Sequence, residues 1–128
     1  MSIPKIPTRR HFANQDEIDI DIPDGDPIMG KSLFEIHCAG CHNLNDNGNM
    51  GPRLRYVFMR KAGTIKNYFY SKTLQGGSFR WTKKKLFLFL EDPEAMIPDT
   101  QMSFEGMNDP WMRACIIEYL HFLKDQKK

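Results

Sequence analysis

Five residues, Cys38-Ala39-Gly40-Cys41-His42, constrain this chain more than any other feature. Two thiols with two residues between them can add to the two vinyl groups of one porphyrin and form thioethers. The adjacent imidazole then lies under the iron and can supply an axial ligand. This spacing is the attachment signal of a c-type haem. A chain that obeys it has to fold around one flat, largely apolar cofactor. Two other chemistries use C-x-x-C. A redox dithiol wants a βαβ setting, and the patterning here is helical. A zinc site needs a second ligand pair at suitable spacing, and the remaining Cys115, His11, His37 and His121 form none.

At 128 residues the chain is one domain by length. So short a chain buries only a modest core, to which a covalent haem would add a large apolar surface. The net charge of +2 does not fit a strongly basic nucleic-acid binder. Charge is unevenly spread: residues 1–24 hold 3 basic and 5 acidic groups, and residues 25–128 hold 15 and 11. With Cys38 and Cys41 given to haem, Cys115 stands alone, so no disulfide framework forms within the chain. The longest apolar run, Leu86-Phe87-Leu88-Phe89-Leu90, is far too short to cross a membrane. The N-terminus has no signal-peptide apolar region, and its Lys5, Arg9 and Arg10 among two prolines make a poor transit peptide.

Residues 1–24 read as an extended or disordered N-terminal extension and 25–128 as the domain. Pro4, Pro7 and Pro23 disfavour helix. Ile18, Ile20 and Ile22 alternate with acidic residues at strand period; the alternative to a loose tail is an arm that packs these isoleucines on the domain or a partner. Asp26-Pro27 predicts a helix start that runs to about Ala39. Residues 43–52 read as loop. The aromatic-rich stretch 64–75 ends at Gly76-Gly77, a helix-stop pattern. Another helix is predicted from Thr82, as cap, to Glu91, ended by Asp92-Pro93. Residues 94–108 lack helical pattern. In the last helix, about 109–125, Trp111, Cys115, Ile116, Tyr119, Leu120 and Leu123 share one face.

The iron needs a sixth ligand, and the candidate is Met102 in a Pro-containing loop 60 residues after His42. A loop can present a thioether to one side of a haem while a helix end holds the imidazole on the other. Met/His ligation raises the reduction potential and suits electron transfer.

From about residue 25 to the end, the chain resembles the mitochondrial-type class I cytochromes c, in a divergent form. The resemblance rests on Gly30 and Phe34, the haem motif, Gly51-Pro52-x-Leu54, Arg60, Gly63, Tyr70, Trp81, Leu90 and Pro93, the Ile97-Pro98-x-Thr100-x-Met102-x-Phe104-x-Gly106 loop, and Tyr119-Leu120. It implies an all-α cytochrome c fold, with crossed N- and C-terminal helices around one covalent haem c. It implies thioethers to Cys38 and Cys41, and iron ligation by His42 and Met102. Pro52 would orient His42 through its carbonyl; Arg60, Tyr70 and Trp81 would hydrogen-bond the haem propionates; Thr100 would belong to a polar network beside Met102. Gly30 would let the first helix approach the last, with Phe34 meeting Ile116 and Tyr119.

The resemblance also implies a non-enzymatic carrier of single electrons between respiratory-chain complexes. Its partners would be a cytochrome bc1-type reductase and cytochrome c oxidase, or a divergent partner, and a haem-attachment lyase. The setting would be the mitochondrial intermembrane space, with a bacterial periplasm as the alternative.

Departures from the family pattern modify that expectation. Lysines that ring the exposed haem edge in typical members are here His37, Glu94, Ala95, Gln101 and Asn108-Asp109. Losing them should slow docking to acidic partners. The basic residues Arg53, Arg55, Arg60-Lys61 and Lys83-Lys84-Lys85 lie elsewhere, as a solvated face or a relocated docking patch. Phe89 and Leu74 stand where typical members place a Tyr and an Asn, so the pocket should be drier and Met102 less well supported. A labile Met102 would allow weak peroxidase, ligand-sensing or signalling chemistry, and a hinge at 98–108 would allow a dimer by swapping of the last helix. Cys115 reads as a buried small hydrophobe, His37 as pointing away from the iron, and His11 and His121 as exposed.

Overall fold

The computed structural model describes residues 20–42, 44–45, 51–66, 68–75, 77, 79–102 and 104–126. Four α-helices follow one another along these residues: α1 (Pro27–His37), α2 (Lys83–Glu91), α3 (Pro93–Met96) and α4 (Pro110–Asp125). A single 3₁₀ turn, Lys72–Leu74, lies between α1 and α2. Among the described residues the only β pairing is an isolated antiparallel bridge between Lys61 and Arg80.

Side-chain capping sets where the helices start. The Asp26 carboxylate accepts from the Ile28 N–H, the Thr82 hydroxyl from Lys85 N–H, Asp92 from Ala95 N–H, and Asp109 from the N–H groups of Trp111 and Met112. Each cap satisfies donors that a helix leaves orphaned at its first turn. In α1, α3 and α4 a proline follows directly, with its φ already helical.

Two stretches differ from the sequence expectation. The 64–75 segment holds only the three-residue 3₁₀ turn, because its aromatics serve different surfaces: Phe69 is exposed, while Tyr68 and Tyr70 turn toward a cleft. Gly76 and Ile18 lie outside the described residues, as does His11. Within 94–108, residues up to Met96 belong to α3, whose proline and capping aspartate supply a helix start too short to leave a periodic pattern. The first helix closes at His37, two residues earlier than expected.

The principal helix contact is α1 against α4. It closes at Gly30, where an added Cβ would overlap the carbonyl oxygen of Cys115 and crowd Tyr119. Phe34 meets Tyr119 with ring centroids 5.5 Å apart and planes tilted by 59°, a favourable aromatic geometry. Cys115 is fully buried, and its Sγ accepts the Asp26 N–H at 3.3 Å, which ties the entry to α1 onto α4. Ile20 and Ile22, just upstream, are half-buried against the same core. Arg113 fastens α2 to α4. It is buried, lies 4.0 Å from the Phe87 ring, donates to the Phe87 and Asn108 carbonyls, and stands 3.7 Å from Glu91. None of the helices of the described residues is long and apolar enough to cross a membrane.

Candidate haem site

The core is split by an apolar cleft of about 970 Å³, counting the solvent at its open mouth. Its walls come from α1 (Phe34, Cys38 just beyond its end), the loops at 42–74, α2 (Leu86, Phe89, Leu90), the 100–102 segment and α4 (Ile116, Leu120). Eight of the nine predicted cofactor-site residues line it: Cys38, His42, Pro52, Arg60, Tyr70, Trp81, Thr100 and Met102. The ninth, Cys41, is half-exposed, directly before His42, and is not on the wall.

His42 is held from two sides. Its Nδ1 lies 2.8 Å from the Pro52 carbonyl oxygen. A carbonyl only accepts, so Nδ1 carries the proton and Nε2 keeps its lone pair. Gly51 lies against the imidazole so closely that a Cβ there would overlap the ring. Burial lowers the imidazole pKa, the Pro52 hydrogen bond opposes this, and the Arg60 charge lowers it further. A neutral, oriented imidazole is what an iron ligand requires. Cys38 is buried, and burial, aided by Cys41, pushes its thiol up to about 11.

One end of the cleft is cationic and bears hydroxyls. Two short segments run side by side: Met59 N–H donates to the Trp81 carbonyl, Trp81 N–H to that of Arg60, and Ala62 N–H to that of Phe79, each at 2.8 Å. This sets Arg60 beside Trp81. Among the described residues the Arg60 guanidinium has no acidic partner, and burial lowers its pKa. The Tyr70 hydroxyl accepts the Ile65 N–H at 3.2 Å, which leaves its proton to donate. The neighbouring Ser71 Oγ is buried without a partner among the described residues. An orphaned buried hydroxyl carries a desolvation penalty that a ligand oxygen would relieve. Ser71 escaped the sequence reading, since a lone serine has no spacing signal; only its adjacency to Tyr70 could have pointed to it. A porphyrin fits this cavity: apolar walls, an oriented imidazole, and a cationic, hydroxyl-bearing end for the propionates.

At the other end, Thr100 Oγ1 accepts the Met102 N–H at 3.1 Å, which leaves the hydroxyl proton to donate. Leu74 and Phe89 stand on the same walls. Asp99 Oδ2 accepts the Thr73 N–H at 3.0 Å and clips this loop to the 3₁₀ turn. His37 is exposed and meets the Phe104 ring at 6.5 Å, and His121 is also exposed. No group of three or more His, Cys, Asp or Glu side chains able to hold a metal exists among the described residues.

The sequence model of the family described as cytochrome c matches residues 28–124. A cytochrome c of Tetrahymena pyriformis is 36% identical over 104 residues, covering 81% of this chain and 94% of that one. A cytochrome c2 of Rhodopila globiformis is 39% identical over 103 residues, covering 80% and 97%. Among solved structures, cytochrome cH from Methylobacterium extorquens superposes with a TM-score of 0.71 at 36% identity, covering 77% of this chain and 99% of that one.

Proposed function

Because the chain belongs to the cytochrome c family, and is thereby an electron-transfer protein with haem c bound through its cysteine pair, we propose that it shuttles single electrons between respiratory-chain complexes. The observation that carries this reading is the oriented imidazole of His42 facing a cleft whose walls also hold Met102. When bound, haem supplies a one-electron Fe(II)/Fe(III) couple. Cys38 and Cys41 would anchor it, His42 and Met102 would ligate it, and Pro52 holds the imidazole in orientation. Arg60, Tyr70 and Trp81, with Ser71, would neutralise and hydrogen-bond the propionates. Thr100 shapes the loop that presents Met102. The apolar walls exclude water, which favours the less charged ferrous site and raises the potential.

A haem-attachment lyase, a bc1-type reductase and a cytochrome c oxidase or divergent counterpart are the proposed partners. The intermembrane space is the proposed compartment, with a bacterial periplasm as the alternative; the relatives include both eukaryotic and bacterial proteins. The proposed docking face lacks the usual lysine ring. Stopped-flow oxidation of the ferrous protein by cytochrome c oxidase across ionic strength tests this. Turnover with a shallow or inverted salt dependence is expected. A steep fall with salt, as for lysine-ringed members, contradicts the altered face, and absence of turnover contradicts the oxidase as partner.

One observation favours a second reading. With Leu74 and Phe89 apolar, the Thr100 hydroxyl is the one polar side chain of the three beside Met102, so the sulfur has a single hydroxyl to draw on. A labile Met102 would open the iron to peroxide or a small ligand and suit a peroxidase, sensing or signalling role. Tight binding of imidazole or azide by the ferric protein at neutral pH is the outcome this reading expects; negligible binding removes it.

A further inference from the structure

The charged side chains are sorted by segment, and both segments reach the cleft. Residues 53–85 carry ten basic side chains, of which Lys85 is buried, and no acidic one, whereas residues 91–109 carry six carboxylates and no Lys, Arg or His. The first segment supplies Arg60, Tyr70 and Trp81 to the cleft; the second supplies Thr100, Gln101 and Met102. All six carboxylates are exposed. Asp92 and Asp109 cap helices, Asp99 holds Thr73 and Glu91 lies near Arg113. Glu94 and Glu105 have no ion-pair partner among the described residues. Glu105 follows Phe104, which touches His37 one residue before Cys38, so it stands where the methionine loop meets the attachment helix. Glu94 lies in α3, which leads through the buried Ile97 into Thr100–Met102.

We propose that electrons enter and leave across this acidic Met102 rim, and that the partner it fits presents a basic, Lys/Arg-rich face. The proposal rests on the electron-carrier reading and adds the polarity of the partner to it. At physiological salt the screening length is about 8 Å, so a docking surface responds to the charges within reach and not to the molecular total. The cationic 53–85 side orients the molecule in the same field by being repelled from a basic partner. The net charge of +2 predicts the opposite preference, which makes the two accounts separable.

The test uses the full-length haem-loaded protein and charged inorganic probes that stand in for partner surfaces. In the ferrous state, hexaamminechromium(III) should broaden the amide resonances of residues 94–106, and hexacyanochromate(III) those of the 53–85 segment. In stopped flow, oxidation by tris(phenanthroline)cobalt(III) should slow several-fold as ionic strength rises from about 0.01 M to about 0.15 M. Oxidation by hexacyanoferrate(III) should not slow. Glu94→Lys with Glu105→Lys should abolish the cation's broadening at the rim and its salt-sensitive rate. Broadening of the rim by the anion, or a cobalt rate that rises with salt, overturns the proposal. A chain that cannot be reversibly reduced refutes the electron-carrier reading instead, and the same broadening maps recorded on the ferric protein still decide the polarity of the rim.

Discussion

At the scale of single residues, the site depends on a few side chains with narrow tolerances. Gly30 is one: any Cβ collides with backbone of α4, not with a flexible side chain. Gly30→Ala should therefore destabilise the haem-loaded protein by about 1–3 kcal/mol in denaturant unfolding, the range for overpacking a close contact. Met102→Ala should leave the covalent haem in place, by mass and by the pyridine haemochrome spectrum, while removing the far-red charge-transfer band of Met-ligated ferric iron. These residues were legible in the sequence because each belongs to a spaced pattern. Ser71 was not, because its signal is a buried, unpartnered oxygen, which exists only after folding.

At the scale of elements, the helix starts at 26–27 and 82–83 could be read from capping residues, with proline at the first, and the last helix from its apolar face. The single turns could not. α3 and the 3₁₀ turn span too few residues to show a period, and tertiary contacts hold them. One such contact is the Asp99–Thr73 clip between the Met102 loop and the 3₁₀ turn. The Thr73 hydroxyl and N–H hold the Asp99 carboxyl below the usual carboxylate range. A depressed folded-state pKa contributes stability that is fully present above the unfolded value, about 3.9, and is lost as pH falls through the lower folded value. Acid should therefore loosen the 97–102 loop first, seen as rising hydrogen exchange there below about pH 4. Asp99→Asn should remove that pH dependence. Upstream of α1, Ile20 and Ile22 pack on the core. Replacing both with Ser should lower stability by about 1–2 kcal/mol, from the partial apolar area re-exposed; an unchanged melting curve would mean that the arm contributes nothing.

At the scale of the whole molecule, the attachment motif and the α1–α4 contact lie where the family pattern puts them, while Leu74 and Phe89 depart from that pattern on the cleft itself. Charge sorting along the sequence needed the fold to give it meaning, because segments come together around a cleft only when the chain closes. The central claim is that this interior would hold haem through His42 and Met102 as a reversible one-electron centre. The most direct measurement is a spectroelectrochemical titration of the full-length haem-loaded protein, with visible spectra recorded at each potential. The account predicts one reversible single-electron wave, low-spin six-coordinate spectra in both oxidation states, and a Met–Fe(III) charge-transfer band that disappears on reduction. High-spin five-coordinate iron in either state, or reduction that does not reverse, would contradict it.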